Sequence, residues 1–252
     1  MINIKSAQDI VKMREAGKVV EDTLKLLERN VRAGITTAEL NQIAEEYIRS
    51  QGAYPTCLNY NGYPKAICIS VNEVVVHGIP GPRKLQDGDI VSCDVCATLN
   101  GFVGDATRTF LVGNVSEEVR RLVEVTKECF FEGIRFARPG YRVSDISKAI
   151  QAHAESHGYG VVRELTGHGV GRQLHEDPEV PNYYSPRARQ RLEAGMTIAV
   201  EPMITMGRRE IWQLDDGWTI VTRDGKPAAH YENTIAITDG DPIILTCSEE
   251  SE

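Results

Sequence analysis

DGDIVSCDVCATLNGFVGDATRTFLV, residues 87–112, is the stretch on which the fold turns. Residues 89–99 and 102–112 are two β-prone runs that meet at Asn100-Gly101, a dipeptide suited to a two-residue hairpin turn. With that turn Leu99 pairs with Phe102, and counting back sets Cys96 opposite Asp105. Asp94 is two residues from Cys96 and shares its face. Asp94 and Asp105 then become diagonal cross-strand neighbours, with Cα atoms roughly 7–8 Å apart. Neighbours such as Ile90, Val91 and Val95 argue against an exposed face, so without a cation the two carboxylates would repel each other. Side chains at that spacing can converge on two cations roughly 3.5–4 Å apart.

Three more residues extend this pattern. His168 lies in TGHGVG (166–171), Glu201 ends MTIAVE (196–201), and Glu232 lies in YENTIAIT (231–238). Each sits in or beside an apolar, β-prone or Gly-rich run, where a carboxylate is costly unless compensated. Two divalent cations would balance the four acids. Four hard carboxylates and one imidazole suit Mn, Fe(II) or Co better than a thiolate zinc site.

The bulk properties narrow the function classes. The net charge of −8 argues against nonspecific binding of nucleic acid or anionic membrane. No specific nucleic-acid motif is present. No apolar run approaches the roughly 20 residues of a membrane span, and Met1–Asp9 has no apolar signal segment. Six cysteines without such a segment read as reduced thiols of a cytoplasmic protein.

Helices are expected after Ser6, after the capping box Thr36–Glu39, from Ser116 to about Ala137, and from about Ser144 to His157. Strands are expected at 66–76, 161–165, 196–204, 218–222 and 231–238. The order suggests an internal repeat within one domain (1–252), with halves near 6–112 and 113–240. Arg32-Ala33-Gly34 matches Arg138-Pro139-Gly140 at an offset of 106. Later the offset becomes 107, so Gly88 falls on Gly195 and Asp94 on Glu201. In this reading the halves deliver paired acids, Asp94 with Glu201 and Asp105 with Glu232.

Three motifs invite other readings. His153 and His157 have ligand spacing, but HAESH is not HExxH and both residues fall on a polar helix end, so solvated surface is expected. GHGVG lacks a full dinucleotide fingerprint; its glycines let backbone pass close to the site. Cys93 and Cys96 point to opposite faces of a strand, which disfavours a zinc or redox pair.

Taken together, these segments resemble the type I methionine aminopeptidases of the short bacterial kind, in the M24 metallopeptidase family. The resemblance runs from about Ile4 to Ile244. It includes CLNYNGYPKAICISVNEVVVHGIP (57–80), DGDIVSCDV (87–95), GFVGDATRTF (101–110), TGHGVG (166–171), LHEDP (174–178), MTIAVEPM (196–203), DGWT (216–219) and YENTIAIT (231–238). It implies the pita-bread fold, an α/β (α+β) arrangement of two pseudo-symmetric halves with a central curved antiparallel sheet covered by helices.

The resemblance also implies roles. Two divalent metal ions per chain (Co, Mn, Fe(II) or Zn) would be held by Asp94, Asp105, His168, Glu201 and Glu232, with Asp105 and Glu232 bridging them. Glu201 would also carry the proton of the attacking water. His77 and His175 would contact the substrate amide. Cys57, Tyr60, Tyr63, Cys68, Leu174 and Trp218 would hold the methionine side chain. Leu174 stands where the family has an aromatic residue, and Cys96 where threonine is common. The implied reaction removes initiator methionine from nascent polypeptides with a small second residue, at the ribosome, by a monomer.

Three alternatives share the fold. Xaa-Pro aminopeptidases and prolidases usually carry an additional N-terminal domain, and this chain starts almost at once with the catalytic unit. A non-catalytic pita-bread binding module would have lost ligands. A type II methionine aminopeptidase would carry an insertion where only 32 residues separate His168 from Glu201.

Overall fold

A computed structural model describes residues 2–247. Four helices form where the apolar spacing predicts them: α1 (Ala7–Asn30), α2 (Thr37–Ser50), α3 (Glu117–Ile134) and α4 (Val143–Ser156). Local side chains close their first turns. Ser6 and Asp9 cap α1 reciprocally, as Thr36 and Glu39 cap α2. On α4 the Asp145 carboxylate accepts from the Arg142 N–H at 2.9 Å.

The hairpin has the counted register. Strands Ile90–Leu99 and Phe102–Leu111 pair Leu99 with Phe102 and Cys96 with Asp105. Asn100 and Gly101 take φ of 52° and 77°, as a type I′ turn requires. Cys68–Val71 runs along the other edge of Ile90–Leu99. α1 and α2 cover this sheet, burying Leu24, Leu40, Ile48 and Val91 in one core. In the other half Thr197–Val200 pairs with Asn233–Ala236 and with Thr166–Gly169. α3 and α4 cover that sheet around Leu122, Phe130, Ile146 and Ile198.

Several expected strands are shorter or broken. The run 66–76 divides into Cys68–Val71 and Val74–Val76, because Asn72 turns left-handed at φ 54°. The run 196–204 divides into Thr197–Val200 and Met203–Thr205. Pro202 has no N–H to give and ends the first ladder just after Glu201. The run 231–238 shrinks to Asn233–Ala236, and Glu232 lies outside it. At 161–165 the strand is only Gly160–Val161, and at 218–222 only Ile220–Thr222. Thr166–Gly169 and Glu176–Pro181 are strands that the apolar pattern did not announce. Glycines and prolines mask the alternation there.

Corresponding contacts recur in the two halves. The bridge Thr36↔Lys84 has a counterpart in Arg142↔Arg191. Leu85 N–H bonds Ile35 O at 2.8 Å, and Leu192 N–H bonds Tyr141 O at 3.0 Å. Where the halves meet, Thr107 and Glu232 exchange backbone hydrogen bonds of 3.4 and 3.1 Å. On one side the Thr234 hydroxyl bonds the Asp105 backbone, and on the other the Thr109 hydroxyl bonds the His230 backbone. Exchanging 105 with 230, 107 with 232 and 109 with 234 maps this seam onto itself. Glu232 therefore corresponds to Thr107, and Asp105 to His230. The expected equivalence of Asp105 with Glu232 gives way to this register.

Candidate metal centre and adjoining pocket

The seam and the strand breaks converge on one cavity of about 280 Å³. Asp94, Asp105, His168, Glu201 and Glu232 all line it, as do His77 and His175. Asp94 and Asp105 arrive from the hairpin, and Cys96 sits between them. Its Sγ lies 3.0 Å from Asp105 Oδ1 and 3.7 Å from Asp94 Oδ1. Glu201 and Glu232 arrive from positions where the ladders stop, so their side chains are free of strand alternation.

His168 is oriented by its own strand. Its Nδ1 lies 2.9 Å from the Gly169 carbonyl oxygen. A carbonyl only accepts, so Nδ1 carries the proton and Nε2 keeps its lone pair. That lone pair faces Asp105 at 3.6 Å and Glu201 at 3.5 Å. The glycines on either side allow this close approach. A Cβ on Gly167 would stand 2.4 Å from Ala199 O, and one on Gly169 would stand 2.1 Å from Asp177 O.

Acceptors dominate the site. Among the described residues, no Lys or Arg lines the cavity. Burial, then mutual repulsion, pushes the Asp94, Glu201 and Glu232 carboxyls well above the usual range. Burial pushes Asp105 up to about 7. Burial holds His168 down at about 3, with His175 adding to the effect. Converging acids and a lone-pair imidazole, with no lysine or arginine among the lining residues, form a donor set that fits divalent cations. Oxygen donors of Asp105 and Glu232 approach His168 within metal-sharing distance.

Beside the acids lies a pocket walled by Cys57, Tyr60, Tyr63, Cys68, Leu174 and Trp218. Trp218 stands edge-on to Tyr63, with centroids 5.1 Å apart. Cys57 and Cys96 bring their sulfurs to 3.3 Å. Tyr60 Oη is 2.6 Å from His175 Nδ1. His77 adopts φ 58°, a left-handed conformation costly for a residue with a Cβ. The turn holds it against the pocket, with its ring 6.4 Å from that of Trp218.

The sequence reading missed two residues here. His230 is 2% exposed, and its Nε2 has no hydrogen-bond partner among the described residues. That atom lies 3.6 Å from Glu201 and 3.9 Å from Glu232. Burial holds it neutral, with a pKa near 3. Thr107 donates its hydroxyl to Glu232 at 2.8 Å. Only the cross-seam register could have signalled either one.

The model of metallopeptidase family M24 matches residues 11–239. The chain belongs to this family. M24 membership agrees with the acid-rich centre and implies divalent metal binding. A methionine aminopeptidase of Clostridium perfringens is 53% identical over 98% of this chain and 99% of its own. The solved methionine aminopeptidase of Rickettsia prowazekii superposes with a TM-score of 0.96 at 43% identity, covering 98% of this chain and 100% of that one. The prolidase of Pyrococcus furiosus superposes at 0.79 with 22% identity, covering 98% of this chain and 66% of that one, and shows the shared fold alone. The M24 architecture here is the pita-bread fold.

Proposed function

We infer that this protein is a methionine aminopeptidase that hydrolyses the N-terminal methionine from nascent polypeptides and peptides with a small second residue. The observation that carries the reading is a sulfur- and aromatic-walled pocket opening directly onto a buried carboxylate cluster. A flexible thioether suits such walls. Whole-chain identity to methionine aminopeptidases supports the same conclusion.

Asp94, Asp105, His168, Glu201 and Glu232 would hold two divalent ions of the Mn, Fe(II), Co or Zn kind. When bound, the ions supply an acidified water nucleophile and polarise the scissile carbonyl. The remaining work falls to the chain. Glu201 takes the proton of the attacking water at its carboxylate and passes it to the departing amine. His77 and His175, held neutral mainly by burial, donate to the oxygen that gains charge. The six pocket residues orient the methionine side chain and exclude water. We place the reaction in the cytoplasm, close to the ribosome, with one chain as the working unit.

The test is a panel of Met-Ala, Met-Lys and Xaa-Pro peptides with the metal-free chain and added Mn, Fe(II), Co or Zn. Metal-dependent release of methionine from Met-Ala peptides, with little from Met-Lys, is expected. Preferential cleavage of Xaa-Pro peptides would replace this reading with a prolidase.

A further inference from the structure

The outer face of the α3–α4 pair carries a second convergence of ligand-type side chains. Glu128 on α3 faces His153 and His157 on α4. The two histidines are four residues apart, so their rings lie along one helix face with centroids 4.6 Å apart. His157 Nδ1 is 2.9 Å from the His153 carbonyl oxygen. The carbonyl must accept, so Nδ1 is the protonated nitrogen and Nε2 keeps its lone pair. His153 Nε2 is 2.8 Å from Glu128 Oε2. One donor atom from each of the three residues lies within 4.8 Å of the other two.

A cationic side chain already occupies this place. Arg121 Nη1 is 2.8 Å from Glu128 Oε1, and Nη2 is 3.3 Å from Oε2. Nη2 also lies 3.1 Å from His157 Nε2. Guanidinium N–H groups only donate, so Arg121 engages the lone pairs that a metal would use. Its side chain is 40% exposed and can move into water.

We propose that Glu128, His153 and His157 form a surface site for a borderline transition cation such as Zn2+, Ni2+ or Cu2+, in competition with Arg121. Two imidazoles and one carboxylate match these ions, and solvent fills the remaining position. Binding moves the His153 proton from Nε2 to Nδ1 and swings Arg121 outward. None of the four residues lines the catalytic cavity. The bound ion would link α3 to α4 without touching that centre.

Equilibrium dialysis of the metal-free full chain against Zn2+ tests the site. Wild type is expected to bind one more equivalent than His157→Gln or His153→Gln. The equivalents that remain in both variants belong to the buried centre and report that the variants are folded. Arg121→Ala should tighten the extra equivalent several-fold, because the cation no longer has to displace a guanidinium from the Glu128 and His157 lone pairs. Equal stoichiometry in wild type and both histidine variants overturns the site. Unchanged or weaker binding in Arg121→Ala overturns the competition.

Discussion

Thr107 and Glu232 hold each other across the seam between the two halves. Their backbones exchange two hydrogen bonds, and the Thr107 hydroxyl adds a third to the Glu232 carboxylate at 2.8 Å. The backbone pair is symmetric and the side-chain bond is not. One half supplies an acid at this position, and the other supplies the donor that orients it.

Thr107→Val should preserve the shape of this fully buried position and remove the donor. A hydrogen bond to a charged acceptor contributes about 1.5–3 kcal/mol. Loss of a ligand's orienting partner weakens metal binding about 10–100-fold. Calorimetric titration with Mn2+ measures the effect. Unchanged affinity would mean that the backbone alone sets Glu232.

Much of this site could be read before any coordinates. The Asn100-Gly101 turn fixed a register, and the register placed Asp94 and Asp105 on one face. Apolar periodicity located all four helices because each buries one stripe against a sheet. His230 and Glu232 were harder. They sit where strands break and the chain crosses between halves, so period-two alternation does not set their direction. The pairing of Glu232 with Thr107 depends on contacts more than a hundred residues apart in sequence, which no local pattern encodes.

Tyr60 and His175 make a second pair open to test. At 2.6 Å the phenol and Nδ1 share a hydrogen bond that fixes the imidazole ring. Burial raises the Tyr60 pKa further, so the hydroxyl keeps its proton at neutral pH. Tyr60→Phe should free Nδ1 and loosen the ring. We expect kcat to fall about tenfold or more, on the scale of a misplaced donor to a developing charge. The 15N shift of His175 Nδ1 in the metal-free chain should move from a hydrogen-bonded to a free value. If that shift stays constant, Tyr60 is only a wall of the pocket.

The carboxylate cluster makes stability depend on pH when metal is absent. Asp105 is pushed up to about 7, and Asp94, Glu201 and Glu232 are raised as well. A raised carboxyl pKa means that the folded state keeps protons the unfolded state has released. Stability from this source falls as pH rises through the folded value. His168 and His230, held near 3, act in the opposite sense, but their contribution is complete above about 6.5, the unfolded histidine value. The carboxyl contribution remains above that pH. The metal-free chain should therefore melt at a lower temperature at pH 8.5 than at pH 6.5. Each kcal/mol lost corresponds to about 2–4 °C in a chain of this size. Added Mn2+ should shrink or reverse the difference. Melting curves in chelator that rise between those two pH values would contradict the repulsive cluster.

Glu201 separates proton transfer from metal holding. It follows the last paired residue of its strand, its side chain is 12% exposed, and it faces both His168 and His230. Glu201→Gln keeps the volume and one oxygen donor but cannot take a proton at neutral pH. Loss of a positioned general base lowers turnover by about 10²–10⁴. The same change removes one of four mutually repelling acids, so the metal-free variant should melt no lower than wild type above pH 7. Two measurements on one sample settle the role: methionine release from a Met-Ala peptide, and metal bound per chain. Lost turnover with metal retained assigns Glu201 to the proton. Lost turnover with metal lost assigns it to the ligand set alone, and turnover within a few-fold of wild type removes it from the proton path.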